Sequence, residues 1–213
     1  MIEKLASSLG RKDEQPNIEL AEEIVKSKNK TGIREIIKGL DNPNEQIAND
    51  CIKVLYEIGE RSPELIAGYA DVFIGLLSSR NNRLVWGAMT ALSLIAELSP
   101  EEIFRHFDTV LEAYRKGSVI TVDNSISVFA KLSKSGKKYE DKIFPLILAH
   151  LENCRPKEVA QHAERAFAAV NEHNGAAFEK VLLKRRDSLT EPARKRVDKL
   201  LKQLSNHTRI DKS

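Results

Sequence analysis

The stretch NNRLVWGAMTALSLIAELSPEEI (residues 81–103) repeats the pattern of NEQIANDCIKVLYEIGERSPELI (residues 44–66) at a shift of 37 residues. The tripeptide Ser-Pro-Glu recurs at 62–64 and 99–101, and each time it follows a small residue and a set of apolar positions. An internal repeat of this length indicates a chain built from stacked copies of one supersecondary unit. Further copies elsewhere in the chain would therefore define its fold.

Further copies of the apolar pattern occur on both sides of this pair. Each copy has a small residue, then apolar residues at i, i+1 and i+4, the spacing of one buried helix face. A second apolar series lies about 19 residues after the first. The small residues are Cys51, Ala88, Ser125 and Ala163, the trios are Val54-Leu55-Ile58, Ala91-Leu92-Ile95, Val128-Phe129-Leu132 and Ala166-Phe167-Val170, and the second series is Ile36, Phe73, Val110 and Ile147. Each unit of about 37 residues is thus predicted to hold two amphipathic helices.

Helix boundaries are predicted from caps and turn residues. Ser62 and Ser99 are candidate N-caps whose hydroxyls would accept from early backbone N–H groups, and Pro63 and Pro100 fit the first helical position. Small residues before each trio would let neighbouring helices approach closely. The predicted helices are 2–9, 17–27 with 31–41, 44–60 with 63–79, 82–98 with 100–116, 120–134 with 138–153, 157–173 with 175–187, and 191–204.

This arrangement resembles the HEAT-repeat family, with armadillo repeats a close second, most clearly in NPNEQIANDCIKVLYEIG and SRNNRLVWGAMTALSLIA. The resemblance implies an all-α, right-handed superhelix of about five helix pairs plus terminal helices, with one set of helices lining a concave face. We expect one solenoid domain over 1–213: an N-terminal capping helix and linker (1–16), repeats (17–188), a C-terminal capping helix (189–204) and a flexible tail (205–213). The regular Asp–Arg ladder of that family is missing, because the positions matching Arg83 hold Gln46, Ile120 and Glu158.

Composition favours a soluble, cytoplasmic protein. The 213 residues are 41% hydrophobic and 31% charged, which is ordinary for a globular chain. Cys51 and Cys154 lie far apart and form no CxxC pair, which is typical of a reduced compartment. No apolar run approaches the length of a membrane span, and the first residues hold no signal-peptide core.

An enzymatic function is not expected. The chain holds no phosphate-binding glycine loop, nucleophile elbow or H-E-x-x-H motif. Alkylpurine DNA glycosylases of the HEAT-like class use an aspartate near tryptophans, and the resemblance would then point to Asp108 or Asp123 beside Trp86. No segment matches their motif, so this stays a distant third hypothesis.

No metal or other cofactor is expected either. His150 and Cys154 lie four residues apart on one predicted helix, and His162 follows near the start of the next. These are zinc-ligand types, but no fourth ligand is evident and the spacing matches no common zinc motif. The alternative, a surface histidine beside a half-buried thiol, is therefore preferred.

A binding function through the concave face is the main hypothesis. A protein or peptide partner is predicted, because the second helices of the second and third repeats carry acidic side chains that could steer a charged segment. Trp86 is either a partner anchor or a ring that covers the adjacent helix, and the second interpretation is favoured. The candidate partner-binding residues are Trp86, Arg105, Asp108, Glu112 and Lys142.

Nucleic-acid binding through the basic C-terminal half is the alternative function. Residues 180–213 hold eleven Lys or Arg against four Asp or Glu, whereas the whole chain has a net charge of only +3. A basic stripe of this kind attracts phosphate if its charges face one way, although a solvated helix face is the more common explanation. The candidates are Lys180, Lys184, Arg185, Arg186, Arg194, Lys195 and Lys199.

Overall fold

The computed structural model describes the backbone of residues 1–210 and the side chains of residues 1–205. Within that range the protein is all-α, with twelve α-helices, short 3-10 turns and no strand. Contacts divide the chain into two compact units, residues 1–128 and 129–213, which are described separately as unit 1 and unit 2.

Unit 1 contains three first helices that pack side by side, with the second helices against them. The first helices are α1 (Gln15–Ser27), α3 (Glu45–Arg61) and α5 (Asn82–Ile95), and the second helices are α2 (Lys30–Gly39), α4 (Ala70–Leu76), α6 (Pro100–Arg105) and α7 (Phe107–Lys116). Helix α3 lies between α1 and α5, α2 packs on α3, and α4 packs on α5. This is the paired-helix arrangement that the 37-residue repeat predicts.

Unit 2 is built from the remaining helix pairs. Helix α8 (Val119–Lys134) contains the boundary between the units, and it is followed by α9 (Lys137–Asn153), α10 (Pro156–Ala166), α11 (Gly175–Arg186) and α12 (Glu191–Ile210). Helix α9 packs on α11, and both α10 and α11 pack on α12. Helix α12 continues past the predicted end at 204, while residues 211–213 of the predicted tail lie outside the described residues.

The repeat positions form the core. All four small residues are buried, as are the first three trios, because one apolar stripe per helix faces the neighbouring helices. The second series is fully buried as well. The fourth trio is less regular, since Ala166 is buried but Phe167 and Val170 keep part of their surface exposed.

The side-chain caps of the two repeats lie at the first helices, not at Ser62 and Ser99 before the second helices as predicted. The side-chain oxygens of Asn44 and Asn81 accept from the N–H groups of Gln46 and Arg83 at 3.0 and 2.9 Å. These two asparagines are 37 residues apart and cap α3 and α5. Ser62 and Ser99 make no cap hydrogen bond, and the Ser99 hydroxyl instead donates to the Ala67 carbonyl at 2.9 Å.

The predicted helices 63–79 and 100–116 are both broken. The first is two 3-10 turns (Pro63–Leu65 and Ala67–Tyr69) followed by α4, and the second is α6 followed by α7. Tyr69 and His106, again 37 residues apart, have nearly the same backbone angles at the break, φ −112° and ψ 21° against φ −107° and ψ 25°. The kink is therefore a property of the repeat.

The predicted N-terminal helix over 2–9 is replaced by a 3-10 turn at Ile2–Lys4 and a series of turns. Two backbone N–H groups of this segment bond to side chains instead of helix carbonyls. The N–H of Ala6 donates to Oδ1 of Asn17 at 2.9 Å, and the N–H of Ser7 donates to Oδ2 of Asp50 at 2.7 Å. Gly10 then adopts φ +68°, which only a residue without a side chain adopts readily. Helix 157–173 also ends early, at Ala166, followed by a 3-10 turn at Phe167–Ala169.

Gly87 shows how closely the first helices approach. A Cβ atom at this position of α5 would lie 2.6 Å from Cγ1 of the buried Ile52 on α3. We expect Gly87→Ala to lower the free energy of unfolding by about 1 kcal/mol or more, because overpacking outweighs the gain in helix propensity. The measurement is urea unfolding followed by circular dichroism.

The matched control is Gly75→Ala in α4, where a Cβ atom would have no heavy atom within 4 Å. That variant should be as stable as the wild type or more stable by up to about 1 kcal/mol. Equal effects of the two substitutions would contradict the close approach of α3 and α5.

Candidate functional site

A chain of ion pairs crosses the first helices of unit 1. Lys53 and Glu57, one turn apart on α3, are 8% and 7% exposed, and their Nζ and Oε1 atoms lie 2.5 Å apart. Lys53 also approaches Glu14, directly before α1, at 3.3 Å, and Glu14 pairs with Arg83 of α5. Arg61 pairs with Glu57 at 2.5 Å. This set of five side chains, called the ion network below, joins α1, α3 and α5.

The ion network keeps its central residues charged. Burial acts to raise the pKa of Glu57, but hydrogen bonds from Lys53 and Arg61 outweigh it, so the pKa of this carboxyl is lowered. Burial acts to lower the pKa of the Lys53 amine. The hydrogen bond to Glu57 and the interaction with Tyr56 together outweigh burial, so this pKa is raised. Nothing in the sequence pattern marked these residues as interior, since Lys and Glu on a helix usually face water.

Trp86 packs beside the ion network. Its ring centroid lies 5.8 Å from that of Tyr56, and the Arg83 guanidinium lies 5.1 Å from it. The ring is partly exposed and spans from α5 to α3. This is the geometry of a ring that covers an adjacent helix, the interpretation favoured from the sequence.

Two of the candidate partner-binding residues line an open cleft in unit 1. The cleft has a volume of about 630 Å³ and lies between the α4–α5 loop and α7. Leu77, Val85 and Ala113 supply apolar walls, and Asp108 and Glu112 supply carboxylates. Trp86 is not among its lining residues, so this cleft does not itself supply the aspartate-beside-tryptophan arrangement of the glycosylase hypothesis.

The other partner-binding candidates lie elsewhere. Arg105 lies beside a neighbouring depression, where its guanidinium donates to Glu102 at 2.7 Å. Lys142 is exposed on α9, in unit 2. Asp123, the second carboxylate of the glycosylase hypothesis, is partly buried on α8.

The basic residues of the C-terminal half are largely engaged within unit 2. Arg186 makes a two-point contact with Asp198, Lys195 pairs with Glu191 at 2.7 Å, and Lys184 lies 3.3 Å from Glu152. Arg185 donates to three backbone carbonyls at the end of α9, and Arg194 donates to the Leu189 carbonyl. Only Lys180 and Lys199 of the seven candidates lack a hydrogen bond or ion pair with the described residues.

The structure brings together the three metal-ligand types noted in the sequence. Nε2 of His150 and Nδ1 of His162 lie 2.7 Å apart, and the Cys154 thiol completes a group within 4.8 Å. His162 is fully buried, not near the surface. Both cysteines of the chain are free thiols.

Comparison with known proteins identifies the fold. No protein-family model and no curated protein matches the sequence. An engineered protein solved by the Northeast Structural Genomics Consortium aligns at 18% identity with a TM-score of 0.69, over 97% of each chain. A designed armadillo repeat protein aligns at 14% identity with a TM-score of 0.67, over 96% of this chain and 100% of that one.

A third similar structure is a computationally designed armadillo repeat protein for modular peptide recognition. It has 14% identity and a TM-score of 0.66, and covers 88% of this chain and 91% of that one. At these identities the likeness shows the fold, which is an all-α armadillo- and HEAT-like helical repeat. The fold class predicted from the sequence is confirmed. Among the described residues no helix has the length and apolar character needed to cross a membrane.

The ion network makes a stability prediction. Glu57→Gln should lower the free energy of unfolding by about 3 kcal/mol at pH 7, because it leaves the buried ammonium of Lys53 with a weaker partner. Replacing both residues, as Lys53→Met with Glu57→Leu, should come close to the wild type, since no charge is then left buried. Urea unfolding of the three proteins measures both effects.

The effect of Glu57→Gln should depend on pH. A carboxyl whose pKa is lowered by folding stabilises the protein above its unfolded value of 4.5, and this stabilisation is lost as the pH falls through the folded value. The difference between wild type and Glu57→Gln should therefore be full at pH 7 and shrink below pH 4.5. A difference independent of pH would show that the carboxylate charge is not the cause.

Proposed function

We propose that the protein is a non-enzymatic scaffold that binds a peptide segment of a partner protein on the second helices of unit 1. The observation that carries this proposal is the cleft between the α4–α5 loop and α7. Its apolar walls and ionic rim suit a segment that combines an apolar side chain with a charged one. The similar structure designed for modular peptide recognition supports the same class of function.

The cleft is lined by two carboxylates, Asp108 and Glu112, and by two cations, Arg80 and Lys116, so its own charges balance. The preference for a basic segment rests on the exposed carboxylates of the second-helix surface. Asp108 is exposed and makes no ion pair or hydrogen bond with the described residues, so its carboxylate is available to a partner. Glu64 and Asp71 are exposed on the second-helix surface of the preceding repeat, and among the described residues Asp71 has one charge contact, with His106 at 3.8 Å. Glu112 is held by Lys116 at 2.5 Å, which leaves Asp108 as the main anion of the cleft. A Lys or Arg of the partner would form a charge-assisted hydrogen bond there.

Nucleic acid is the less favoured ligand because most basic candidates already have acidic or carbonyl partners. A phosphate would have to compete with Asp198 for Arg186 and with Glu191 for Lys195. Phosphate binding depends on cations that are free to replace counterions. We also infer a cytoplasmic location, in keeping with two free thiols.

A peptide-binding experiment tests the proposal. The probes are fluorescein-labelled 12-residue peptides with the same apolar residues, carrying either Lys and Arg or Glu at the intervening positions. We expect the basic peptides to bind more tightly by fluorescence anisotropy at physiological salt. Asp108→Lys should weaken that binding by about tenfold or more, the value of one hydrogen bond to a charged group.

Asp187→Lys is the matched control, because it makes the same charge change at a fully exposed position outside the cleft, on unit 2. It should leave peptide binding within about twofold, because Asp187 does not line the cleft. Equal weakening by both variants, or tighter binding of acidic peptides, would contradict the proposal. Duplex DNA and single-stranded RNA serve as competitors, and tight binding of either at physiological salt would instead favour the alternative function.

A further inference from the structure

We propose that His150, Cys154 and His162 form a binding site for one zinc-class divalent ion in unit 2. His150 lies in the last turn of α9, Cys154 directly follows that helix, and His162 lies in α10. One ligand atom from each residue falls within a group no wider than 4.8 Å. Two imidazoles and a thiol are the ligand types that zinc prefers.

The distances suit a shared ion. Ligands around one tetrahedral zinc at bond lengths of about 2.0–2.3 Å lie about 3.3–3.7 Å from one another. The observed nitrogen–nitrogen distance of 2.7 Å is slightly shorter, and the largest separation in the group, at most 4.8 Å, is slightly longer. Small rotations of the His150 ring and of Cys154, whose thiol is half-buried, would bring the three atoms to that spacing.

The two histidines already face one another. In the 2.7 Å ring-to-ring contact one of the two facing nitrogens carries a proton, so an ion that binds both nitrogens must displace that proton to solvent or to the other nitrogen of the same ring. Neutral imidazole is the form that binds metal. His162 is fully buried within α10, which fixes its ring, whereas His150 can adjust.

The thiol has a nearby positive charge. The Arg185 guanidinium donates to the carbonyls of Leu151, Glu152 and Cys154 at 2.6–2.7 Å and so fixes the turn that carries the thiol. Burial raises the pKa of the Cys154 thiol, and the Arg185 guanidinium acts against that effect. When Cys154 becomes a thiolate ligand its proton goes to solvent, and the ion and the guanidinium stabilise the anion. With three protein ligands, the fourth position remains for water, as in open zinc sites, so the missing fourth ligand is no obstacle.

The bound ion would join the end of α9 to α10 across a connection of only two residues, Cys154 and Arg155. The other group of possible ligands is Asp71, Glu102 and His106 in unit 1. It offers two carboxylates and one imidazole, and Asp71 and His106 are exposed, so it lacks both the thiol and the buried ligand of the first site. It is the rival site in the experiment.

The test is a titration of the full chain, treated with chelator, with Co²⁺ as a spectroscopic substitute for zinc. We expect one equivalent to bind with a near-ultraviolet sulfur-to-cobalt band and visible bands of tetrahedral intensity, and Zn²⁺ to remove both. Cys154→Ser should abolish the sulfur band and weaken Co²⁺ binding by more than about 100-fold, because even outer-shell losses cost about 10- to 100-fold. His150→Gln should weaken binding while the sulfur band persists at saturation.

Cys51→Ser is the matched control, since Cys51 is the other thiol of the chain and lies in unit 1. It should leave the cobalt spectrum unchanged, and circular dichroism verifies that each variant is folded. The absence of a sulfur band in the wild type would overturn the proposal. So would loss of that band in Cys51→Ser, or loss of binding in His106→Gln with Cys154→Ser unaffected.

Discussion

Every residue of α3 from Cys51 to Gly59 is buried, so this helix has no face left for water over more than two turns. Its sequence nevertheless places Lys53 and Glu57 in that segment. Two unpaired charges there would cost several kcal/mol each, which is a large part of the stability of a domain. Mutual pairing, extended to Glu14 of the α1 end and Arg83 of α5, resolves the conflict. The first helices can pack around these two charges because each charge has a partner.

The charges of the two units are used differently. In unit 1 the charges of the interior are paired within the ion network, and exposed carboxylates such as Asp108 and Glu64 lie on the second-helix surface. In unit 2 several basic side chains pair with carboxylates of neighbouring helices, as Arg186 does with Asp198 and Arg196 with Glu164. A basic composition therefore does not amount to a basic binding face, because pairing removes much of the charge that a ligand would meet.

The second and third repeats share local backbone details as well as a buried core. The Asn44 and Asn81 caps are equivalent, and so are the breaks at Tyr69 and His106. Asn81 also donates to Asn49 at 2.9 Å, so one cap links the start of α5 to the second turn of α3. The break separates α6 from α7 and places Asp108 in the first turn of α7, at the edge of the cleft. A local backbone feature of the repeat thus positions the proposed binding residue.

The sequence by itself determined the helix pairs and their buried faces, because the spacing of apolar residues such as Val54, Leu55 and Ile58 depends only on helix geometry. It also sufficed to predict the repeat length and the armadillo- and HEAT-like class. The asparagine caps are also local, since each accepts from an N–H group only two residues along the chain. Tertiary structure alone decided that Lys53 and Glu57 are interior and that His150 meets His162. These two features depend on how the helices pack, and neither periodicity nor composition records which polar side chain will find a partner there.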